Sequence, residues 1–337
     1  MSIVVSPKPE FYELYSAGQV EDIIGSLKNL NEIPHKYTYF KESAALWDRY
    51  VRRMELEDQP NSLNSTVKLL ELNYAYLEDI LDSGQTVNVI DIGPGNALPV
   101  KDLLNRLNKS GRLGKYKAID ISQEMLSLAK NNIDQWFKGK IVFEGHILDI
   151  GSSGFTARLA KMLRSSTSVN VVLFLGGTIG NVPSPEAVYK KLHDSLGAAD
   201  VFILGLKLDT LNARKYFNFT EGLDLPEMEA LILRRLGIED GSYIVEKGYD
   251  SKRKERYMRV RLQQEVTIKF ASGDVREDVL LAKGSSILLW RYWHYESLDI
   301  LKQLNKAGFL ALHSSLTNDE ETLVVISRAF RGEIKRS

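Results

Sequence analysis

The sequence predicts an α/β protein: a mostly parallel sheet covered by helices, carrying a second, α+β lobe. Three observations predict it. From Val87 onward, short apolar runs alternate with helical stretches, the pattern of βαβ units whose strands are buried on both faces. A glycine turn, Gly93-Pro94-Gly95-Asn96, separates the first run from the helix after it. Between about 210 and 295 the alternation stops, and apolar residues recur at every second position, as in antiparallel strands with one buried face.

The elements follow in order. Residues 1 to about 60 are polar and tyrosine-rich, with helices expected over 20–30 and 43–53, where Leu46, Trp47 and Tyr50 share a helical face. Segment 58–65, which contains Gln59-Pro60-Asn61-Ser62, reads as a loop. Segment 65–81 reads as a helix, because Val67, Leu70, Tyr74, Leu77 and Leu81 recur at three- and four-residue steps. Strands are expected at 87–92, 116–121, 140–143, 169–175 and 200–206, and helices at 100–107, 123–133 and 186–195. In the lobe, a helix over 225–236 precedes alternating residues such as Val245, Met258, Val260, Leu262, Val266, Ile268 and Phe270. A helix at 297–307 and a strand pair at 310–316 and 322–330 return to the α/β pattern. Residues 61–209 and 296–331 would therefore form the sheet domain, and 1–60 with 210–295 the lobe.

Composition narrows the function classes. Basic and acidic residues number 44 each, so the broad basic footprint of a nucleic-acid binder is missing. With no cysteine there is no disulfide, no thiolate metal site and no thiol nucleophile. The five histidines (His35, His146, His193, His294 and His313) show no metal-ligand spacing. No apolar run approaches the roughly 18 to 20 residues that span a bilayer. The stretch 3–5 is too short for a signal-peptide core, so a cytoplasmic location is expected. Oligomeric state is not readable from these features.

The glycine turn follows a strand and opens a helix, where the backbone can approach a ligand closely beside the helix N-terminus. Asp120 lies at the end of the next strand, where an acid commonly accepts hydrogen bonds from ribose hydroxyls. Together they indicate a nucleoside-containing cofactor; a tight turn plus a helix-capping Asp is the plainer alternative. A dinucleotide fingerprint needs a third small residue for close helix–strand packing. Leu98 stands there, with Pro99 beside it. The loop therefore fits S-adenosylmethionine (SAM) better, which has no pyrophosphate to cradle. Asp149, closing His146-Ile147-Leu148-Asp149, is placed to read an adenine amine, or else caps a loop.

Four segments carry a family resemblance: Ile92-Gly93-Pro94-Gly95, Ala118-Ile119-Asp120-Ile121-Ser122, Gly176-Gly177-Thr178-Ile179-Gly180-Asn181 and Gly205-Leu206-Lys207-Leu208-Asp209. In this order they resemble the histidine-specific-type SAM-dependent methyltransferase family. That family includes the ergothioneine-pathway histidine Nα-methyltransferase and a fungal dimethylallyltryptophan N-methyltransferase. The resemblance runs from about Tyr37 to the C-terminus. It implies a Rossmann-like class I methyltransferase sheet with a substrate lobe, and S-adenosyl-L-methionine as cofactor. By the same resemblance, Gly93 and Gly95 would contact the methionyl part and Asp120 the ribose. Asp149 and Ile150 would flank adenine, with Gly176 and Thr178 also at the cofactor. Tyr39 would close over it, Tyr37 being a near competitor. Asn181 would hold the substrate's amino-acid head group and act with Tyr216 on the amine.

Two departures matter. Family members often carry a lysine six residues after the first glycine, where this chain has Pro99; Lys101 would have to substitute. Where histidine methyltransferases have Glu-Asn-Ser-Tyr-Lys-Tyr, this chain has Trp290-Arg291-Tyr292-Trp293-His294-Tyr295, so Trp290 and Tyr292 replace the acid and serine. Trp290 and Tyr292 would share one strand face, as a π-rich wall for the substrate or as half-buried core. The basic run Ser251-Lys252-Arg253-Lys254-Glu255-Arg256 reads as a solvated hairpin turn rather than a phosphate patch.

The expected activity is SAM-dependent N-methylation of an amino acid or amino-acid-derived aromatic amine in specialised, natural-product metabolism. Its partner would be a small-molecule amine, with no nucleic acid, membrane or metal. Histidine Nα-methylation proper, a nicotinamide-dependent oxidoreductase and a catalytically silent scaffold are the alternatives.

Overall fold

The structure, a computed structural model, describes residues 2–57, 61–82, 84–164, 168–210, 214, 218–272 and 275–331. Strand β1 (Ser2–Val5) and helices α1 (Pro9–Leu14), α2 (Ala17–Leu30), α3 (Glu42–Glu55), α4 (Ser62–Leu72) and α5 (Tyr74–Ile80) come first. The alternating region holds β2 (Thr86–Ile92), α6 (Lys101–Lys109), β3 (Leu113–Asp120), α7 (Gln123–Phe137) and β4 (Val142–Ile147). It continues with α8 (Phe155–Leu163), β5 (Ser168–Phe174), the single turn α9 (Thr178–Asn181), α10 (Pro185–Ser195) and β6 (Val201–Lys207). Next come β7 (Thr220–Glu221), α11 (Glu227–Arg235), β8 (Tyr243–Asp250), β9 (Glu255–Leu262), β10 (Glu265–Ser272), β11 (Val275–Leu281) and β12 (Ser286–Trp293). Helix α12 (Ser297–Lys306) and strands β13 (Phe309–Leu316) and β14 (Thr322–Ala329) follow. The chain divides into two compact units, Met1–Trp47 with Arg214–Trp293, and Asp48–Ala213 with His294–Ser337.

The second of these units is built on a seven-stranded sheet of order β13-β14-β6-β5-β2-β3-β4. The pairs β2–β3, β3–β4, β2–β5 and β5–β6 are parallel, and β14 runs antiparallel to both neighbours. This is the arrangement of a class I methyltransferase sheet. Strands β2, β5 and β6 are buried at nearly every position, as strands covered on both faces must be. Asn170 is the polar exception in β5, and its amide donates to Asp200 Oδ1 at 2.8 Å and to the Leu163 carbonyl at 2.8 Å. A satisfied amide of this kind fixes register inside an apolar layer.

Several element ends depart from the sequence-based expectation for local reasons. The helix expected over 65–81 is two helices, because the Asn73 amide donates to the Leu69 carbonyl at 2.7 Å and ends α4. Of the expected loop 58–65, residues 58–60 lie outside the described residues, whereas Ser62 already begins α4. Asn61 caps that helix by accepting from the Asn64 N–H at 2.9 Å. The strand expected at 140–143 lies at Val142–Ile147, because Lys138 and Gly139 turn the chain with positive φ first. Helix α8 was not expected; Phe155, Leu159 and Leu163, four residues apart, form its buried face.

The other unit contains the sheets β12-β9-β8-β7 and β1-β10-β11. Strand β1, unexpected from so short an apolar stretch, pairs in parallel with β10, Ser2 opposite Glu265 and Val5 opposite Ile268. The basic run is a turn between β8 and β9 in which Asp250 Oδ1 accepts from the N–H groups of Lys252 and Arg253 at 2.9 and 3.1 Å. Residues 251–254 are exposed. Strand β12 turns Ile287, Leu289 and Arg291 inward. Arg291, 5% exposed, pairs with Glu32 and, at 3.3 Å, with Glu255, themselves 5% and 2% exposed. Burial raises the Glu32 carboxyl above the usual range even with Arg291 against it.

Arg291→Met would leave two buried carboxylates without their shared cation. We expect a loss of about 3–5 kcal/mol in urea unfolding; a change near zero would show that the triad contributes nothing net.

Candidate functional site

The order of the sheet places a crevice. From β2 the chain crosses to β3 on one side, and from β5 it crosses to β6 on the other, although β2 and β5 are neighbours. Loops leaving two such strands part in opposite directions, and ligands of open α/β sheets bind at that point. The loop after β2 holds Gly93 and Gly95 with φ of 68° and 57°, left-handed conformations that favour glycine. The Gly93 N–H donates to the Ile119 carbonyl at 2.9 Å, which ties this loop to the end of β3. A Cβ added to Gly93 would lie 2.8 Å from Thr178 Oγ1. The two loops thus touch at Gly93 and Thr178, where the Thr178 side chain lies too close to admit any side chain in place of the glycine.

On the β5 side, Gly176 turns the chain with φ of 75° and α9 presents Asn181 one turn later. The Asn181 Oδ1 is buried and accepts no hydrogen bond among the described residues. Leaving such an acceptor unmet costs on the order of 1–3 kcal/mol, a cost that a ligand donor would relieve.

Two acids stand at the strand ends. Asp120, at the end of β3, accepts from the Ser122 N–H at 3.0 Å. Burial pushes its carboxyl up to about 6 against that bond. Asp91, two residues before Gly93, is buried and accepts from the Tyr116 hydroxyl at 2.9 Å. Burial, reinforced by the charge of Asp120, pushes it up to about 7 despite Tyr116. After β4, the Leu148 N–H donates to the Asp120 carbonyl at 2.9 Å. Asp149 Oδ1 then accepts from the Gly151 N–H at 2.7 Å, holding Ile150 in a turn. The eight expected cofactor and head-group residues of this unit (Gly93, Gly95, Asp120, Asp149, Ile150, Gly176, Thr178 and Asn181) therefore follow four adjacent strands at one edge of the sheet.

Sequence reasoning missed what holds the glycine loop from behind. The Asn96 amide donates to Asp48 Oδ1 at 2.7 Å, and its carbonyl accepts from the Asn132 amide at 2.8 Å. Arg52 closes the ring, donating to Asp48 Oδ2 at 2.8 Å and to Asn132 Oδ1 at 2.9 Å. Asp48 and Arg52 are four apart on α3, which marks a helix-surface pair but gives no sign of Asn96 or Asn132. Asp91 did leave a signal, as the one charged residue in an apolar strand.

Leu98 is buried and begins a 3-10 turn, so α6 starts only at Lys101. The helix is thereby kept from the close approach a dinucleotide loop needs. Lys101, the possible substitute for the missing lysine, sits with its ammonium 4.8 Å from the Trp136 ring. Lys101 lines, with Leu63, Val67, Leu98 and Trp136, a cavity of about 360 Å³ that includes none of the other expected site residues.

The remaining expected residues belong to the other unit. Tyr37 is 2% exposed and its hydroxyl donates to Asp22 at 2.7 Å, whereas Tyr39 is half-buried and shares a 2.9 Å hydrogen bond with His35 Nε2. Trp290 and Tyr292 stack at 6.2 Å between centroids with planes 21° apart, and the Arg256 guanidinium lies 5.8 Å from the Trp290 ring. A register shift interrupts the β12–β9 pairing between Leu288 and Trp290; Trp290 is half-buried, whereas Tyr292 is buried, 8% exposed. Tyr216 lies outside the described residues. Among the described residues no group of three or more His, Asp or Glu side chains could hold a metal ion, and no helix is long and apolar enough to cross a membrane.

Comparison with known proteins gives a family match. The model of the histidine-specific, SAM-dependent methyltransferases matches residues 19–218, a span that includes every expected cofactor residue, Asn181 and Tyr216; Trp290 and Tyr292 follow it. Ergothioneine biosynthesis protein 1 of Neurospora crassa is 25% identical over 163 residues, 47% of this chain. The chain spans only 18% of that protein's length. Among solved structures, a SAM-dependent methyltransferase from Clostridium acetobutylicum is similar at 13% identity, covering 86% of this chain and 98% of its own, with a TM-score of 0.49. Magnesium protoporphyrin IX methyltransferase from Synechocystis, with bound S-adenosylhomocysteine (SAH), is similar at 12% identity, 92% and 99% coverage and a TM-score of 0.44. The family match, rather than these distant likenesses, carries the assignment, and it excludes the nicotinamide reading.

The acids set a pH dependence. Folded Asp91 and Asp120 hold their protons to higher pH than the unfolded chain does. Their stabilising contribution is complete below about pH 4 and is lost as pH rises through about 6 and 7. Asp91→Asn removes the larger part. Its melting temperature relative to wild type should climb between about pH 5 and pH 8; a constant difference across that range would contradict the buried-acid account.

Proposed function

The chain belongs to the histidine-specific, SAM-dependent methyltransferase family, and from that premise we propose that it methylates the nitrogen of an amino acid or amino-acid-derived aromatic amine in specialised metabolism. The observation that carries this reading is the orphaned Asn181 Oδ1 at the end of β5. A carboxamide oxygen there accepts an N–H from the acceptor amine and aims the nitrogen lone pair along the line of transfer. When bound, SAM supplies the electrophile, a methyl group on a sulfonium sulfur. What supports that cofactor is a tight, side-chain-free approach of Gly93 to Thr178 and a buried carboxyl, Asp120, at the end of β3.

In this reading Gly93 and Gly95 take the methionyl part, Asp120 the ribose and Asp149 with Ile150 the adenine, while Gly176 and Thr178 close the β5 side. Tyr39 contacts the cofactor, and Tyr216 assists Asn181. The protein's contribution is alignment, worth a large part of the barrier when nucleophile and electrophile are held in line. The amine must be neutral to attack, and a partly dry site lowers its pKa toward that state. Trp290, stacked on the buried Tyr292, offers a flat aromatic surface that suits an aromatic side chain or a methylated cation.

The family name favours a second reading, histidine Nα-methylation. Against it stands the replacement of the acid and serine by Trp290 and Tyr292, which removes the groups suited to an imidazole and leaves π surface instead.

The test is a methyl-transfer screen over histidine, tryptophan, prenylated indoles and small aromatic amines, read by mass and fragmentation. We expect the methyl on nitrogen; transfer to oxygen or carbon would refute the amine assignment. Asn181→Ala should lower kcat/KM for the acceptor about a hundredfold with KM for SAM nearly unchanged. Trp290→Ala should raise the acceptor KM in a folded enzyme, and an unchanged KM would remove Trp290 from substrate recognition.

A further inference from the structure

Helix α10 reaches into the loop that follows β4. The Lys191 ammonium donates to three successive carbonyls, those of Ile150 at 3.0 Å, Gly151 at 2.9 Å and Ser152 at 3.0 Å. An ammonium has three donors, and all three are spent on one loop. The loop needs such a clamp. Its sequence, Asp149-Ile150-Gly151-Ser152-Ser153-Gly154, is rich in glycine and serine, and ordering such residues is entropically expensive. Within it, the Ser152 hydroxyl donates to the Asp149 carbonyl at 2.7 Å, and the Gly151 N–H to the Asp149 carboxylate. These close a turn without fixing where the turn sits. Lys191 ties it to α10, while Arg158 of α8 donates to the Ile147 carbonyl at 3.2 Å one step earlier.

We propose that Lys191 is a positioning residue for the adenine side of the cofactor site, holding the 149–152 turn in its binding geometry before the nucleoside arrives. The inference rests on the reading that Asp149 and Ile150 meet adenine, and goes beyond it by assigning the order of that loop to a side chain on another helix. A loop ordered in advance spares the ligand the cost of ordering it. Without the ammonium, three converging carbonyl dipoles lose their shared charge-assisted donor, and the turn must be ordered by the cofactor itself. The effect is confined to the nucleobase: the methionyl cradle at Gly93 and the head-group site at Asn181 lie on other loops.

The experiment compares SAH with S-inosylhomocysteine, which lacks the exocyclic adenine amine, by calorimetry on wild type and Lys191→Met. Wild type should prefer SAH, and Lys191→Met should weaken SAH by between about ten- and a hundredfold while barely moving the inosine analogue, so that the preference collapses. In turnover, KM for SAM should rise, with kcat and the acceptor KM near wild type. If wild type prefers SAH and Lys191→Met keeps the preference, the positioning role is overturned and the adenine reading stands. If wild type shows no preference, the adenine reading fails and takes the proposal with it. Equal weakening of both ligands and of the acceptor would mark a general loss of structure, and would also overturn it. Should Lys191→Met fold poorly, Lys191→Gln, with a shorter uncharged donor, should show the same selective loss.

Discussion

The edge of the sheet that carries the candidate site depends on one constraint, the left-handed turn that carries the chain from β2 to α6. Gly93 and Gly95 enter it without strain, but Ala97 does not. It has φ of 62° and is wholly buried, a conformation that costs an L-residue roughly 1–2 kcal/mol. Strain of this size persists where the surroundings over-determine it. Here they do: Asn96 is bonded on both sides to Asp48 and Asn132, Arg52 joins those two, and the Ala97 N–H donates to the Pro94 carbonyl at 2.9 Å. With the turn held, the Gly93 backbone can lie against Thr178, and the edge becomes a single surface.

The same edge concentrates electrostatic strain. Asp91 and Asp120 are near enough for one charge to raise the other, and burial raises both. Acids perturbed in this way cluster at functional sites. Their presence suits a ligand that brings positive charge, as SAM does in its sulfonium and amino groups.

How much was legible beforehand follows from the range of the signals. Strands β2, β5 and β6 declare themselves because a strand buried on both faces must be apolar throughout. The glycine turn and Asp120 are local patterns with a mechanical reason, and they lie at the switch-point edge of the sheet. What escaped depends on partners distant in sequence. Strand β1 is four residues long and exists because β10 offers it an open edge. The ring behind the glycine loop joins residues 48, 52, 96 and 132, and Lys191 reaches carbonyls some 40 positions earlier. Helix α8 was readable from the spacing of Phe155, Leu159 and Leu163, but the stretch is short and follows a run of glycine and serine that suggests a loop.

The pairing of β1 with β10 has a consequence for the order of events during synthesis. Ser2 meets Glu265, so β1 lacks its β10 partner until that distant segment has left the ribosome. At roughly 5–20 residues per second that is a delay on the order of 10 to 50 s. During it β2 to β6 have all emerged and are free to associate. Strand β1 is therefore placed long after it is made, and a translation pause before residue 265 would prolong the exposure of its unpaired edge.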